Sequence, residues 1–488
     1  MVKSLSLTAA FHDSGSLESR RLNSTDHTIR NLEGETSMKM KNFSSLSGRL
    51  RGRGFALICG AAIIFSSMPF AHAQTLQGYR DQGRIMLGVI KSDVKKNYYD
   101  SSFHGVDIDA RFKEADEQIK AATSIGQVLA VIAQTLMSFN DSHLFFDPPG
   151  ITARIEHGWR MQMIGDKCYV VAVQPGSDAE AQSLKPGDRV LSVENYAFTR
   201  GDLWKLQYII YNLSPRPSLK VVVVKPDGEK KQLDIAAKVH EGKMVIDYGP
   251  GVANDKMNVV RELETLSRLN AHRTLDLKDG LFIWKMPGFF NITERQVNEI
   301  MDRARKHKTL VLDMRGNPGG SEDLLLAVIG NLFDHDVNVG ELKRRKETKP
   351  LVAKTRGDKA FKGQLVVLVD SDSGSSAEIL ARVVQLEKRG TVIGDRTAGA
   401  VMRSRSYDHE LGSSLVLSYG VHVTDADLVM SDGQSLEHTG VKPDEMMLPT
   451  AVDLAAQRDP VLWRALVLGG INTTPEKAGA FFPIEWRK

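Results

Sequence analysis

A buried strand that runs into a polar turn and then into an amphipathic helix is the feature that most constrains this 488-residue chain. Residues 365–369 are aliphatic, residues 370–374 are polar or glycine, and apolar residues recur at helical spacing after Ser375. This succession is typical of α/β domains. The free N–H groups of a helix N-terminus can stabilise a negative oxygen, so Ser375 is a candidate nucleophile for acyl transfer. An ordinary N-cap serine is the alternative.

The first 73 residues predict an export signal rather than part of the fold. Basic residues precede an apolar stretch at 55–65, and a small-x-small cleavage pattern ends at Ala73. The stretch is short for a membrane span, so an uncleaved anchor is the weaker alternative. Without this segment the net charge is zero, which requires no nucleic-acid partner, and the single remaining Cys168 allows no intramolecular disulfide. We expect an exported protein of the bacterial envelope, periplasmic or extracellular, with no membrane span after cleavage.

Hydrophobic periodicity divides the rest of the chain into regions, and together they predict a multi-domain α/β protein. Residues 75–150 carry apolar residues at three- and four-residue spacing and predict a small helical domain. Residues 155–240 alternate as short strands between turns, and 241–275 is a charged connecting segment. Residues 276–455 alternate strands and helices, which predicts a core with a partly parallel sheet, and 456–488 is left as a C-terminal extension.

One segment of the strand-rich region, residues 181–193, reads Ala-x-Ser-Leu-Lys-Pro-Gly-Asp-Arg-Val-Leu-Ser-Val and resembles the helix–turn–strand signature of bacterial PDZ domains. The resemblance implies a PDZ-like domain that binds extended peptide C-termini by strand addition and holds the carboxylate in a backbone nest. The matching loop contains Gly158, Trp159 and Arg160, which are the predicted peptide-binding residues. A PDZ fold that binds nothing is the alternative, because fold alone does not imply function.

Four segments of the predicted core carry glycine turns and the candidate serine in a fixed order, at 313–320, 373–378, 394–399 and 436–444. In this order they resemble the tail-specific, or C-terminal processing, serine peptidases, over roughly residues 85–450. The resemblance implies a crotonase-like α/β protease core with an N-terminal helical domain and an inserted PDZ-like domain. It also implies polypeptide substrates and no cofactor. The scattered histidines and the lack of a cysteine pair predict no metal site.

The resemblance departs from the usual family pattern at the general base. The processing proteases use a lysine in a Phe-Gly-Lys-Gly segment, and the matching position here is Ala400. A tricorn-like variant of the family instead uses a histidine from the N-terminal part, with a serine beside it and a late glutamate. Ser142, His143 and Glu437 match this Ser-His-Glu variant. The resemblance therefore implies Ser375 as nucleophile, His143 as base, and Ser142 with Glu437 as support for the base.

This assignment has a chemical basis, because a serine hydroxyl is a poor nucleophile unless a base takes its proton and histidine titrates near neutral pH. We expect the backbone N–H groups of Ser376 and, by the resemblance, Gly319 to form the oxyanion hole. Glycine permits the close backbone approach that such a hole requires. His438 and His409 lie nearby in the sequence and are fallback bases.

The sequence thus predicts an exported serine endopeptidase that hydrolyses exposed or unfolded polypeptides. A degenerate, catalytically inactive family member that binds peptides or acts as a scaffold is one alternative, and the missing lysine motivates it. A crotonase-like acyl-CoA enzyme is a second alternative, since that core also uses glycine turns as oxyanion holes. The PDZ-like segment and the export signal argue against the acyl-CoA enzyme.

Overall fold

The computed structural model describes residues 76–150, 153–241, 265, 267–277, 280–412 and 416–487. The export signal predicted for residues 1–73 and most of the connecting segment predicted for 241–275 lie outside the described residues. No helix within the described ranges combines the length and the apolarity that a bilayer crossing requires.

The N-terminal region is helical and packs on a long strand of the core. Its elements are α1 (Leu76–Asn97), a 3₁₀ turn (Phe103–Gly105), α2 (Ile108–Ala121), α3 (Ile125–Met137) and β1 (Phe145–Asp147). The side chains of Asp107 and Ser124 accept hydrogen bonds from the first turns of α2 and α3, which fixes where these helices begin. The apolar faces of α1, α2 and α3 bury Ile90, Phe112 and Ile132, respectively, in one cluster.

Residues 153–241 form a domain, here called the inserted β domain, whose first and last strands lie side by side. The elements are β2 (Ala153–Glu156), β3 (Trp159–Ile164), β4 (Lys167–Val173), α4 (Asp178–Ala181), β5 (Arg189–Val193), α5 (Leu203–Tyr208) with a π-helical turn (Ile209–Leu213), β6 (Ser218–Val224), β7 (Lys230–Ala236) and β8 (Lys238–Glu241). Strands β3 to β7 form an antiparallel sheet in sequence order. Strands β2 and β8 pair with each other, so the two ends of the domain meet and the core can continue across the insertion.

The core is a mixed α/β layer structure. Its elements are β9 (Arg273–Leu277), β10 (Leu281–Lys285), α6 (Glu294–Ala304), β11 (Thr309–Asp313), α7 (Glu322–Leu332), β12 (Val337–Lys343), β13 (Thr348–Ala353), a 3₁₀ turn (Gly357–Lys359), β14 (Gln364–Val369), α8 (Ser376–Leu386), β15 (Thr391–Gly394), β16 (Arg403–Leu411), β17 (Leu417–Met430), β18 (Glu445–Met446), α9 (Ala451–Ala455), α10 (Pro460–Leu468) and α11 (Pro475–Gly479). The main sheet has the order β18-β15-β14-β11-β10-β9, parallel except for β9. All five residues of β11 are buried, as expected for a parallel strand covered on both faces.

The C-terminal helices differ from the sequence division, which left residues 456–488 outside the core. Leu462 and Leu466 of α10 pack against Ile283, Val311 and other residues on one face of the main sheet. Helices α6, α7 and α8 cover the opposite face. The sequence reading stopped at the last motif, whereas the parallel strands need a second apolar layer, and α10 supplies it.

A second sheet joins the helical region to the core. Strand β17 lies between β1 and β12 and also pairs with β16, in antiparallel register. Tyr419, Val421 and Val423 of β17 share the apolar cluster of α1 to α3. Because β1 begins two residues after His143, this pairing carries the loop 138–144 to the core.

Candidate active site

Ser375 lies at the junction of β14 and α8 in a conformation that a non-glycine residue rarely adopts. Its φ is 52° and its ψ is −120°, so the turn between the strand and the helix is sharp and strained. Ser375 occupies the N-cap position of α8, and its N–H donates to the Glu378 carboxylate as in a capping box. The position is therefore compatible with both an N-cap serine and a nucleophile.

The buried carboxylate of Glu378 holds the strained turn from inside. It accepts hydrogen bonds from Ser375 N at 3.0 Å, Thr397 Oγ1 at 2.5 Å, Gly399 N at 2.7 Å and Ala400 N at 2.9 Å. Burial raises the pKa of Glu378, while these four donors favour its ionised form. The sequence reading treated Glu378 only as a charge that complements the helix N-terminus. Its position three residues into α8 on a buried face is the signal that could have identified it.

His143, Ser142 and Glu437 form a hydrogen-bonded relay. His143 Nδ1 lies 2.8 Å from Ser142 Oγ, and Ser142 Oγ donates to Glu437 Oε2 at 3.0 Å. Because the Ser142 hydroxyl has one proton and gives it to the carboxylate, it accepts from His143 Nδ1–H. This tautomer leaves Nε2 of His143 without a proton and able to accept one. The N–H of Ser142 also donates to Glu437 Oε1 at 3.0 Å.

Asp141 fixes the backbone of this relay, and the sequence reading did not single it out. The N–H of His143 donates to Asp141 Oδ1 at 2.8 Å. The same carboxylate accepts from Thr424 Oγ1 at 2.8 Å and from Tyr98 Oη at 2.9 Å. These contacts tie the loop 138–144 to α1 and to β17. Asp141 is buried and its charge also favours the protonated imidazole of His143.

Burial dominates the electrostatics of the relay. It lowers the pKa of His143 from 6.5 to about 4, against the opposing influence of Asp141. It raises the pKa of Glu437, while hydrogen bonds from Val401 and Ser142 act in the other direction. The imidazole of His143 is therefore neutral at pH 7, the form that a general base requires.

The relay reaches Ser375 through a short stretch of backbone. Val401 N donates to Glu437 Oε2 at 3.0 Å. The carbonyl of the preceding residue, Ala400, accepts from Ser375 N at 2.8 Å. In the described part of the chain the ring of His143 is hydrogen-bonded to Ser142 and makes no hydrogen bond to Ser375. The structure thus brings Ser142, His143 and Glu437 into direct contact and connects them to Ser375 through 400–401.

The two N–H groups predicted to form the oxyanion hole differ in whether they already have an acceptor. The N–H of Ser376 donates to no acceptor among the described residues and is available for an anion. A Cβ on Gly319 would lie 2.6 Å from Ser375 Cβ and 3.0 Å from Ser376 N, so only glycine fits this approach. However, the N–H of Gly319 donates to Asn317 Oδ1 at 2.9 Å, because asparagine closes an Asx turn here.

The glycine turn that carries Gly319 is anchored by a buried ion cluster. Arg315 donates to Asp313 at 2.8 and 2.9 Å and to Asp459 at 2.8 Å, and Lys285 Nζ lies 3.1 Å from Asp313. The two cations hold the pKa of the fully buried Asp313 well below its usual range. Asp313 and Arg315 therefore stabilise this turn by paired hydrogen bonds.

The fallback bases His438 and His409 are engaged elsewhere. His438 Nε2 lies 3.0 Å from the Asn140 carbonyl and 3.7 Å from Glu437 Oε1, and its side chain is half exposed. His409 Nε2 lies 2.7 Å from the carboxylate of Asp93 on α1. Neither histidine has the Ser–Glu relay of His143.

The inserted β domain is hydrogen-bonded to both loops that flank Ser375. On the side before Ser375, Gln162 Nε2 donates to Asp370 at 2.7 Å and Ser371 Oγ donates to the Met163 carbonyl at 2.7 Å. On the side after it, Arg200 donates to Asp395 at 2.9 Å and the Gly165 N–H donates to the same carboxylate at 2.8 Å. These four hydrogen bonds connect the inserted β domain to the loops on both sides of the nucleophile turn.

The predicted peptide-binding residues lie at the start of strand β3. Gly158 has a φ of 71° and packs against Ser177, Trp159 is buried, and Arg160 is exposed. Two buried side-chain nitrogens of this loop, His157 Nδ1 and Trp159 Nε1, have no hydrogen-bond partner among the described residues. Such orphaned groups are uncommon in native structures, and a ligand is one explanation for them.

Comparison with known proteins agrees with this architecture. Residues 283–447 match the model of peptidase family S41. The chain is 24% identical over 334 residues to the tail-specific protease of Haemophilus influenzae, an alignment that covers 66% of this chain and 43% of that protein. It is 23% identical over 279 residues to the carboxy-terminal processing protease CtpA of Bacillus subtilis, covering 56% of this chain and 52% of that protein. The chain therefore spans about half the length of these curated relatives.

A solved structure shows the same fold over most of the described chain. The crystal structure of mature CPAF superimposes with a TM-score of 0.58 at 13% sequence identity, covering 77% of this chain and 94% of that one. At this identity the likeness speaks for the fold alone. The α/β segment that carries Ser375, the glycine turn and Glu437 is thus the part of the chain that is similar to peptidase family S41, over residues 283–447.

Proposed function

We propose that this protein is an exported serine endopeptidase that hydrolyses peptide bonds in exposed or unfolded polypeptides. The observation that carries the proposal is the relay of His143, Ser142 and Glu437, which is bonded through 400–401 to the strained Ser375. Similarity to peptidase family S41 and to relatives named as processing proteases supports the same reaction class. We further propose that the core is crotonase-like, that the inserted β domain is PDZ-like, and that residues 1–73 direct export.

We assign each proton of the proposed reaction to a named group. Nε2 of His143 takes the hydroxyl proton of Ser375 as Oγ attacks the scissile carbonyl carbon. The Ser376 N–H donates to the oxygen that becomes negative, and Gly319 can add a second donor once it releases Asn317. The imidazolium is stabilised through Ser142 by Glu437, and it then returns the proton to the departing amine. Water repeats these steps on the acyl-enzyme and frees Ser375.

The inserted β domain is proposed to recruit substrate or to gate the site. Strand β3 is an outer strand of its sheet and pairs only with β4 among the described strands, so an extended peptide can add to its free edge. Gly158, Trp159 and Arg160 would meet the end of that peptide. The hydrogen bonds to the loops around Ser375 give peptide binding a direct route to the nucleophile.

We expect the acidic limb of kcat/KM to lie well below pH 6.5. The neutral imidazole is the active form, so activity is lost as the pH falls through the folded-state pKa of His143, which burial places at about 4. The unfolded chain takes up this proton first, so folding stability also falls between about pH 6.5 and 4. A pH series of kcat/KM and of urea midpoints measures both. An acidic limb at or above pH 6.5 would contradict a buried His143 base.

The proposal is tested by labelling with a fluorophosphonate, which reacts covalently with activated serines. The folded wild-type chain is expected to be labelled, and Ser375→Ala is expected to lose the label. Ser406→Ala is the matched control, because this serine is exposed on β16, away from the relay, and should leave labelling unchanged.

The competing functions are separated by this labelling, by hydrolysis of an unfolded protein substrate and by binding of an acyl thioester. No labelling of the wild-type chain, together with no hydrolysis of an unfolded protein substrate, would favour the inactive peptide-binding alternative. Binding of an acyl thioester in place of peptides would favour the acyl-CoA enzyme.

A further inference from the structure

A cleft of 1480 Å³ lies between the inserted β domain and the core. Strand β3 lines one wall along its whole length, and the turn after β11 lines another. Residues 482–487, near the end of the chain, line a third wall. Neither Ser375 nor His143 borders the cleft, whereas Gly158, Trp159 and Arg160, which are proposed to bind peptide, do.

Three arginines from different parts of the chain converge on segment 482–487. Arg268 and Arg273 both pair with the carboxylate of Glu485, Arg273 at 3.5 Å. Arg160, at the start of β3, donates to the backbone carbonyl of Glu485 at 3.1 Å. A guanidinium suits such contacts because it presents several donors in one plane.

Two of these arginines also lie over aromatic rings of the segment. The guanidinium carbon of Arg160 lies 4.7 Å from the ring centre of Trp486, and that of Arg273 lies 5.2 Å from the ring centre of Phe482. Both distances fall within the range of cation–π attraction. The cleft therefore recognises one acidic side chain flanked by aromatic side chains.

Phe482 packs against the apolar cluster on one face of the main sheet, whereas Glu485 is held by ion pairs and a hydrogen bond from arginine side chains. The ion pairs are partly exposed, with 47% of the Arg268 side chain and 36% of the Glu485 side chain accessible, so each contributes little by itself. In the described part of the chain, no backbone hydrogen bond joins residues 482–487 to β3. A segment held by side chains alone can be displaced by another peptide of the same chemistry.

We propose that this cleft is a binding site for extended peptides that carry an acidic residue beside an aromatic one, with segment 482–487 as its resting occupant. This site rests on the peptide binding proposed for β3, and it adds the chemistry of the peptide and the segment that competes with it; occupation of the cleft requires no catalysis. An incoming peptide of this class replaces the segment at Arg160, Arg268 and Arg273 and lies beside the free edge of β3.

The experiment uses the full chain with Ser375→Ala, so that no peptide is cleaved. The probe is a fluorescent peptide with the sequence Phe-Pro-Ile-Glu-Trp-Arg, and binding is followed by anisotropy. Replacement of both Glu485 and Trp486 by alanine is expected to tighten binding about tenfold or more, since a tethered competitor acts at high effective concentration. Adding Arg160→Ala and Arg273→Ala to that variant is expected to abolish binding. Arg295→Ala on α6 is the matched control, because its side chain is 88% exposed and lies outside the cleft.

Hydrogen exchange on the Ser375→Ala chain gives a second readout that needs no tail variant. Saturating peptide is expected to speed exchange of the amides in 482–487 as the segment leaves the cleft. Unchanged exchange at those amides overturns the proposal. So does peptide binding that ignores the loss of Glu485 and Trp486, or binding that survives the two arginine substitutions. Catalytic activity enters none of these readouts, so their failure is separate from failure of the peptidase proposal.

Discussion

The variant His143→Ala is expected to lower kcat/KM for peptide hydrolysis by about 10⁴-fold or more, because a triad member and its general-base role are lost together. The Ser375 hydroxyl would retain its place and lose the group that takes its proton. The fold should survive, since the Asp141 contact is made by the backbone N–H of residue 143 and not by the ring. Steady-state hydrolysis of an unfolded protein substrate measures the loss, and circular dichroism checks the fold.

Two companion variants make the assignment specific. Ser142→Ala removes the hydroxyl that links His143 to Glu437 but keeps the imidazole. It should lower the rate less than His143→Ala. His438→Ala should have a smaller effect, because this half-exposed histidine lies 3.7 Å from Glu437 Oε1 and, over the described ranges, makes no hydrogen bond to Ser142. Near wild-type turnover of His143→Ala with a large loss in His438→Ala would assign the base to His438 instead.

The variant Glu378→Ala is expected to cost about 3–5 kcal/mol in the free energy of unfolding. It removes one buried acceptor and leaves the Thr397 hydroxyl proton and the N–H groups of Gly399 and Ala400 without their acceptor, while Ser375 N keeps the Ala400 carbonyl. Hydrolysis should fall further than stability alone explains, because the same carboxylate fixes the backbone of Ser375 and Ala400. Urea unfolding and hydrolysis at a temperature where the variant remains folded separate the two effects.

Glu387→Ala is the matched control for this effect, because it removes an exposed carboxylate at the other end of the same helix. It should change the free energy of unfolding by less than about 0.5 kcal/mol. Glu378→Gln keeps the size of the side chain and should fall between the two. Equal stability of Glu378→Ala and Glu387→Ala would show that the buried network does not hold the turn.

Local patterns in the sequence were enough to predict the elements that carry the site. Strand β14 and helix α8 follow from an aliphatic run and a helical repeat, and both lie where these patterns indicated. Helix α10 was missed as a core element because its role depends on the opposite face of a distant sheet. Short-range periodicity reports which side of an element is apolar and not which element will cover it.

The site itself was predicted by resemblance more than by local physics. Ser142 and Glu437 are 295 positions apart, and no spacing rule links them, so their contact depends on the pairing of β1 with β17. The engagement of the Gly319 N–H by Asn317 and the central role of Glu378 came from side-chain geometry, which a motif does not contain. Ser375 as nucleophile and His143 as base stay predictions until the variants are measured.

The link between β1 and β17 has a consequence for biogenesis. The relay needs the loop before β1, the strand before Ser375 and the segment after β17, so a ribosome-bound or partly translocated chain lacks the last contributor. An incomplete polypeptide would thus be unable to attack its own unfolded portions or its neighbours. Competence would arise only after the final third of the molecule has condensed onto the first, which is a form of self-protection that requires no propeptide.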